Sequence, residues 1–494
     1  MKALTLREVQ RAVKGSWLAR PEAEPLVTSV VTDSREAAPG ALFVALPGEH
    51  VDGHDFVLDA FSRGAVGALV TRAVGPVPSG RFLIQVPEAV TALGALARYY
   101  RSLLSATVIG VTGSNGKTTT KEMVAHLLEA SAVVVKAPKS FNNFIGVPLT
   151  LLTIEPRTDF AVLELGTSAP GEIRRLATIA RPHIGLITNI GPTHLERLGS
   201  VAGVAKAKAE LLDVLGEEGT AVLNWDDDWC RRVAPKAVGK LVTFGLTTEA
   251  DVFATGIVQE PRRLRFLLNG VQEVVLPVTG IHNLSNALAA AAVARRAGLA
   301  QVDIAGRFAD FRLPSMRLEE VVVGEVTFIN DAYNANPVSM SAALREFARP
   351  DPPGLSGREA KGEASSGVSP PRQAPAGQER RGLPGRKLFV AGDMKELGPE
   401  SSRYHRELGL RVTAHHLDRL FAVGEFAEDV VAGAVAGGFP PETAQAFATV
   451  EELVGALLAE VQAGDVVLVK GSRAMRLERV IEAAQESLLA RKVR

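Results

Sequence analysis

The residues whose types and spacing most clearly specify chemistry are Gly110–Glu122, GVTGSNGKTTTKE. An apolar run, Ala106–Gly110, precedes them and reads as a short buried strand, and a helical pattern, Thr118–Glu129, follows. Strand, glycine-rich turn and helix are what a phosphate-binding loop needs. Gly113 and Gly116 let backbone N–H groups close around phosphate oxygens, and the positive end of the helix faces the anion. Lys117 can reach the terminal phosphates, and the Thr118 hydroxyl suits Mg²⁺. One position departs from the usual pattern, with Val111 where a glycine is common. The bland alternative is a glycine-rich turn with a surface lysine. Strand, loop, Lys-Thr pair and helix all argue against it and point to a nucleoside triphosphate.

Further candidates follow other apolar runs. Glu164 ends Ala161–Leu165 and precedes Gly166-Thr167-Ser168, on the side of a parallel sheet where ligands bind. His194, in TNIGPTHLE, directly follows another run. Each alone is as readily a cap or a structural residue, but together they flank a phosphate loop with ligands a Mg²⁺-nucleotide accepts. Lys208 lies in a helical pattern, where a lysine is nearly always solvated, and the residues alone give it no catalytic role. Asn283 and Asn286 in GIHNLSN open a small-residue helix, where Asn is also an ordinary cap. Three polar loops follow later apolar runs: NDAYNANP from Asn330, GDMKELG from Gly392 and KGSR from Lys470. At the carboxyl ends of strands in one sheet they would form a substrate face.

These residues need strands and helices to hold them. Residues 1–103 alternate apolar runs (Val27–Val31, Ala41–Leu46, Gly67–Val70, Phe82–Val86) with helical patterns (His54–Arg63, Ala89–Leu104), a small α/β unit. Residues 104–314 add runs at Phe160–Leu165, Ile184–Ile190 and Ala221–Asn224 with helices between, implying a mostly parallel sheet. Within them 251–279 reads as a β insert of short antiparallel strands before a helix, Leu284–Ala297. Residues 315–494 carry runs at Val326–Ile329, Leu388–Ala391, Leu420–Val423 and Val466–Val469, a second doubly wound, Rossmann-like sheet. Residues 350–386 are rich in Pro, Gly, Ser, Gln and charge, and read as a disordered surface insertion. No internal repeat is visible.

The chain has 494 residues, 46% of them apolar, enough for about three domains. Acidic and basic residues balance at 55 each, so neither nucleic acid nor an anionic membrane surface is expected as partner. Cys230 is the single cysteine, which excludes an internal disulfide framework and fits a reducing compartment. No apolar core of a signal peptide follows Met1, and no run approaches the ~18 apolar residues of a membrane span. A cytoplasmic protein without membrane insertion is expected.

Together these motifs resemble the Mur ligases, ATP-dependent amide-forming enzymes of peptidoglycan synthesis, over nearly the whole chain. The general features are GSNGKTT, Glu164, His194, Lys208, GIHNLSN, Arg317 and Asp331. FNNFIGVPLTLL from Phe141, DAYNANPVSM from Asp331, GDMKELG and VKGSRAM resemble the branch that adds D-alanyl-D-alanine. The Thr32–Arg35 segment, TDSR, resembles a uridine-diphosphate-binding domain.

The resemblance implies a three-domain α/β architecture and ADP-forming ligation. ATP would phosphorylate the terminal carboxylate of a UDP-N-acetylmuramoyl-tripeptide, and the amine of D-alanyl-D-alanine would displace the phosphate. It further implies that Gly113, Ser114, Asn115, Gly116, Lys117, Thr118 and Thr119 hold the ATP phosphates. Asn283, Arg317 and Asp331 would contact adenine, ribose or phosphate. Mg²⁺ would be held by Thr118, Glu164, His194 and Lys208, the last as a carbamate. Ser34, Arg35, Asn143, Thr167, Ser168, Asn334 and Asn336 would face the substrates, and a monomer is expected. Two positions depart from the pattern: Met316 precedes Arg317 where glycine is common, and Asn330-Asp331 stands where paired acids are. The alternatives are a folylpolyglutamate synthetase-like ligase, which needs neither TDSR nor the later loops, and a non-catalytic nucleotide-binding module, which needs no Glu164, His194 or Lys208.

Overall fold

The computed structural model describes residues 1–48, 51–260, 262–348 and 385–492. The described chain divides into two compact units, Met1–Pro314 with Glu396–Gly398, and Ser315–Lys395 with Pro399–Arg494. Three sheets carry it: two in the first unit and one in the second. This is the expected α/β class.

In the central sheet the strand Thr107–Thr112 lies between Phe160–Glu164 and Ile184–Ile187, all parallel. Thr220–Asn224 and Lys240–Gly245 extend the sheet in the same direction. Their inner residues are buried on both faces, as apolar runs without alternation predict. Ile184–Ile187 stops three residues short of the run read from sequence. His194 therefore stands on a loop and does not follow the strand directly.

Helix Ile281–Arg296 packs against Lys117–Leu128, and its alanine run, Ala287 to Ala294, is buried to the last residue. Small side chains let the two helices approach closely, which sets Asn286 against Gly116 and Thr120. The β insert is present as Val252–Glu260, Arg263–Leu268 and Gln272–Leu276, paired antiparallel with alternate residues buried.

The N-terminal sheet is parallel except for Ser16–Ala19 at its edge. Its expected helix over 54–63 begins as a 3₁₀ turn, Gly53–Phe56, and becomes α-helical only over Val57–Ser62. The second unit's sheet places Val326–Asn330, Val466–Lys470, Lys387–Gly392 and Arg419–Val423 side by side and parallel. Glu319–Val323 is added antiparallel at one edge and Ala444–Phe447 parallel at the other.

The expected insertion at 350–386 falls outside the described residues except for Gly385 and Arg386. Arg386 belongs to the folded unit: its guanidinium pairs with the buried Asp465 at 2.7 Å and donates to Glu460 O at 2.8 Å. The insertion read from composition therefore extends too far at its C-terminal end, because charge and glycine there mimic a linker.

Candidate active site

The phosphate loop is built as its residues require. Gly113 has φ +151° and Gly116 φ +79°. A Cβ on Gly113 would stand 1.9 Å from Thr188 Oγ1, and one on Gly116 2.2 Å from Asn286 Oδ1. Neither position can carry a side chain without displacing a neighbour. Gly116 precedes helix Lys117–Leu128, whose N-terminus carries no side-chain cap. The first-turn amides of such a helix have no intrahelical partner and suit an anion.

Ser114 and Asn115 make a different contribution. The Ser114 amide donates to Asn189 O and the Asn115 amide to Asn189 Oδ1, both at 2.9 Å. The Ser114 hydroxyl is buried against Gly191 O at 3.0 Å. These two residues tie the loop to the segment after Ile184–Ile187, which leaves the anion-facing amides to Gly116 and the helix start. Lys117 Nζ donates to Gly113 O at 2.8 Å, folded back along the loop.

Glu164 is 1% exposed and joins two loops. Thr118 Oγ1 donates to its Oε2 at 2.8 Å, and Asn142 Nδ2 to its Oε1 at 2.8 Å. Thr118 and Glu164 thus meet as the sequence led us to expect. Asn142 was not foreseen; the neighbouring Asn143 instead accepts from Ile145 N at 3.1 Å and Gly146 N at 2.8 Å, capping the helix Gly146–Leu152. Only the doubled Asn in FNNF could have hinted at two separate tasks.

Lys208, on helix Val201–Leu215, is 2% exposed, whereas Lys206 is exposed. Among the described residues no hydrogen bond or ion pair reaches its Nζ. Burial pushes its ammonium well below the usual lysine range, and the charge of Lys117 pushes the same way. A buried amine of this kind gives up its proton more readily than an ordinary lysine, and the neutral form is the nucleophilic one. His194 sits in the left-handed region, φ +53°. Glu396, which groups with the first unit, brings its carboxylate to His194 Nδ1, and that pair lowers the Glu396 pKa. A carboxylate at one ring nitrogen orients the other, as in many histidine metal sites. Asn283 is buried; it donates to Thr279 O at 2.8 Å and accepts from Asn286 Nδ2 at 3.3 Å, while Asn286 Oδ1 accepts from Thr120 at 3.2 Å.

The remaining expected site residues serve their own loops. Thr167 Oγ1 donates to Ala169 O at 2.8 Å, and Ser168 N to Glu172 Oε2 at 2.6 Å. Ser34 is buried, and its nearby hydroxyl helps to lower the pKa of Asp59. Arg35 is exposed and paired with Asp33, whose pKa its hydrogen bonds hold at about 2. In the second unit the Arg317 guanidinium stacks 4.3 Å from the Tyr333 ring. Asp331 is buried against Lys470, Asn334 is exposed, and Asn336 caps helix Pro337–Phe347 through Ser339 N at 3.0 Å.

In the first unit two hard oxygen donors, on Thr118 and Glu164, meet at the uncapped start of helix Lys117–Leu128, a combination chemically suited to a phosphate and its metal. Family models match along the chain: the Mur ligase family catalytic domain at 26–101, the Mur ligase middle domain at 111–294 and the Mur ligase glutamate ligase domain at 376–473. The UDP-N-acetylmuramoyl-tripeptide–D-alanyl-D-alanine ligase of Bacillus subtilis is 35% identical over 98% of this chain and 99% of its own. A crystal structure of MurF from Acinetobacter baumannii superposes with a TM-score of 0.83 at 31% identity, covering 99% of this chain and 100% of that one. The MurF ligase of Thermotoga maritima, crystallised with ADP, gives 0.76 at 29% identity over 94% and 99%. Matched from end to end by such relatives, this chain belongs to the Mur ligase family.

Proposed function

We propose that the chain joins D-alanyl-D-alanine to UDP-N-acetylmuramoyl-tripeptide at the expense of ATP, a cytoplasmic step of peptidoglycan precursor synthesis carried out as a monomer. The end-to-end identity with a ligase of that name carries the reading. Residues 1–103, with Ser34 and Arg35, would take the uridine diphosphate end. Residues 104–314 would take ATP and the peptide carboxylate, and 315–494 the dipeptide.

The γ-phosphoryl passes to a carboxylate oxygen of the tripeptide, releasing ADP and leaving an acyl phosphate. The dipeptide amine then attacks the acyl carbon. The C–O bond to phosphate breaks, the nitrogen loses its proton, and amide and inorganic phosphate result. Catalysis of this kind is mainly positioning and charge stabilisation. Gly113 to Thr119 cradle the phosphates, with Lys117 swinging from Gly113 O to the transferred group. Asn283, Arg317 and Asp331 hold the nucleoside end or its phosphates; Asn143, Thr167 and Ser168 face the muramoyl peptide, and Asn334 and Asn336 the dipeptide.

The donor set fits Mg²⁺: the Thr118 hydroxyl and the Glu164 carboxylate are hard oxygens already 2.8 Å apart. His194 is an acceptable further ligand, and Lys208 becomes one only as a carbamate. Bound there, Mg²⁺ would neutralise phosphate charge. ADP release measured with defined substrates tests the proposal. It should require both the muramoyl tripeptide and D-alanyl-D-alanine; turnover with a folate and glutamate, and none with these two, would overturn it.

A further inference from the structure

The segment Ala137–Asn143 makes contacts that this reading leaves unused. Lys121, wholly buried on helix Lys117–Leu128, donates from Nζ to Ala137 O and Lys139 O, each at 2.6 Å, and pairs with Glu122 at 3.1 Å. A charge so deep is retained only with such partners. The segment is therefore strapped to the helix that begins at the phosphate loop. Lys139 has φ +46°, which turns the chain sharply. Beyond that turn Ser140 Oγ lies 3.3 Å from Thr118 Oγ1, and Asn142 Nδ2 reaches Glu164 Oε1. Asn142 is itself held: its carbonyl accepts from Gly166 N at 2.9 Å, and a Cβ on Gly166 would stand 2.8 Å from its side chain.

We infer that Asn142 is a positioning residue for the metal–nucleotide site. Its fixed amide takes one oxygen of Glu164 and so turns the other, Oε2, toward Thr118. The inference rests on the reading that Thr118 and Glu164 hold the metal. A glutamate side chain has three rotatable bonds, and a packed donor on one oxygen removes that freedom. Loss of such an outer partner typically weakens metal binding by about 10–100-fold. Asn143, engaged as a helix cap, lies outside this effect.

The test is Mn²⁺ binding to the protein–ADP complex, followed by electron paramagnetic resonance without either peptide substrate. Asn142→Ala and Asn142→Gln should each weaken Mn²⁺ by about tenfold or more. ADP affinity in chelator and the thermal midpoint should stay near the parent's. Asn142→Gln keeps an amide but displaces it by one methylene, so it separates positioning from folding. Asn143→Ala should bind Mn²⁺ like the parent. Parent-like Mn²⁺ affinity in Asn142→Gln, or an equal loss in Asn143→Ala, overturns the inference. Because no muramoyl peptide takes part, failure of the proposed ligation would leave this result standing.

Discussion

Lys470 and Asp331 form a buried ion pair, Nζ to Oδ2 at 2.6 Å, beneath the loop that follows strand Val326–Asn330. The same ammonium donates to Asn334 O at 3.0 Å, so one lysine pins both ends of Asp331–Asn334. Burial pushes its pKa down while Asp331 pulls it up. Removing one partner of such a pair leaves the other charge stranded, at a cost of about 3–5 kcal/mol. Lys470→Met should therefore lower the unfolding transition of the second unit by that amount. Adding Asp331→Asn should recover at least half of the loss, because the stranded charge goes with it. A denaturant double-mutant cycle measures both; a single variant within about 1 kcal/mol of the parent would contradict the pairing.

Much of this site could be read from residue order, and the reasons are local. The phosphate loop is legible because its glycines are dictated by backbone geometry: Gly113 and Gly116 both take positive φ where no side chain fits. Glu164 and the later polar loops are legible because each terminates an apolar strand. What sequence could not give is pairing across the fold. Asn142 and Asn143 are the same residue type in adjacent positions, and only tertiary contact assigns one to Glu164 and the other to a helix cap. Lys206 and Lys208 sit alike in an alanine-rich helix, yet one is exposed and the other buried. Arg386 resembles linker until its partner Asp465, 79 residues on, is known.

Backbone strain beside Arg317 gives a second prediction. Met316 and Leu318 have φ of +57° and +52°, a region bulky residues avoid at about 1–2 kcal/mol each. Glu319 holds the turn by accepting from Met316 N at 2.8 Å. Glycine, which the family resemblance leads one to expect at 316, has no such penalty but gains more freedom in the unfolded chain. Met316→Gly should thus be neutral to about 1 kcal/mol stabilising. Met316→Val, β-branched, should lose about 1–2 kcal/mol. Thermal midpoints of the two variants decide it; a valine variant as stable as the parent would remove the strain argument.

The last prediction concerns Lys208, whose burial has consequences for both stability and chemistry. Its folded pKa lies well below the ordinary value of about 10.4, so between the two the unfolded chain binds more protons than the folded one. Stability from this residue must rise with pH across that window and fall as pH drops through it. Lys208→Met removes the group while keeping its bulk. At about pH 10, without ligands, the variant should be more stable than the parent by about 1–3 kcal/mol, the cost of an unpaired buried polar group. That gap should widen as pH falls from there. Activity should move the opposite way. The neutral amine is the form that captures CO₂, and the carbamate offers the oxygens Mg²⁺ accepts. Lys208→Ala should lose most ligation while keeping ADP binding through the phosphate loop, and acetate or formate should restore part of the rate. Lys208→Arg, which cannot form a carbamate, should stay inactive, and the exposed Lys206→Ala should be near the parent. Full activity in Lys208→Arg, or a stability gap that grows with rising pH, would show that the buried amine has neither role.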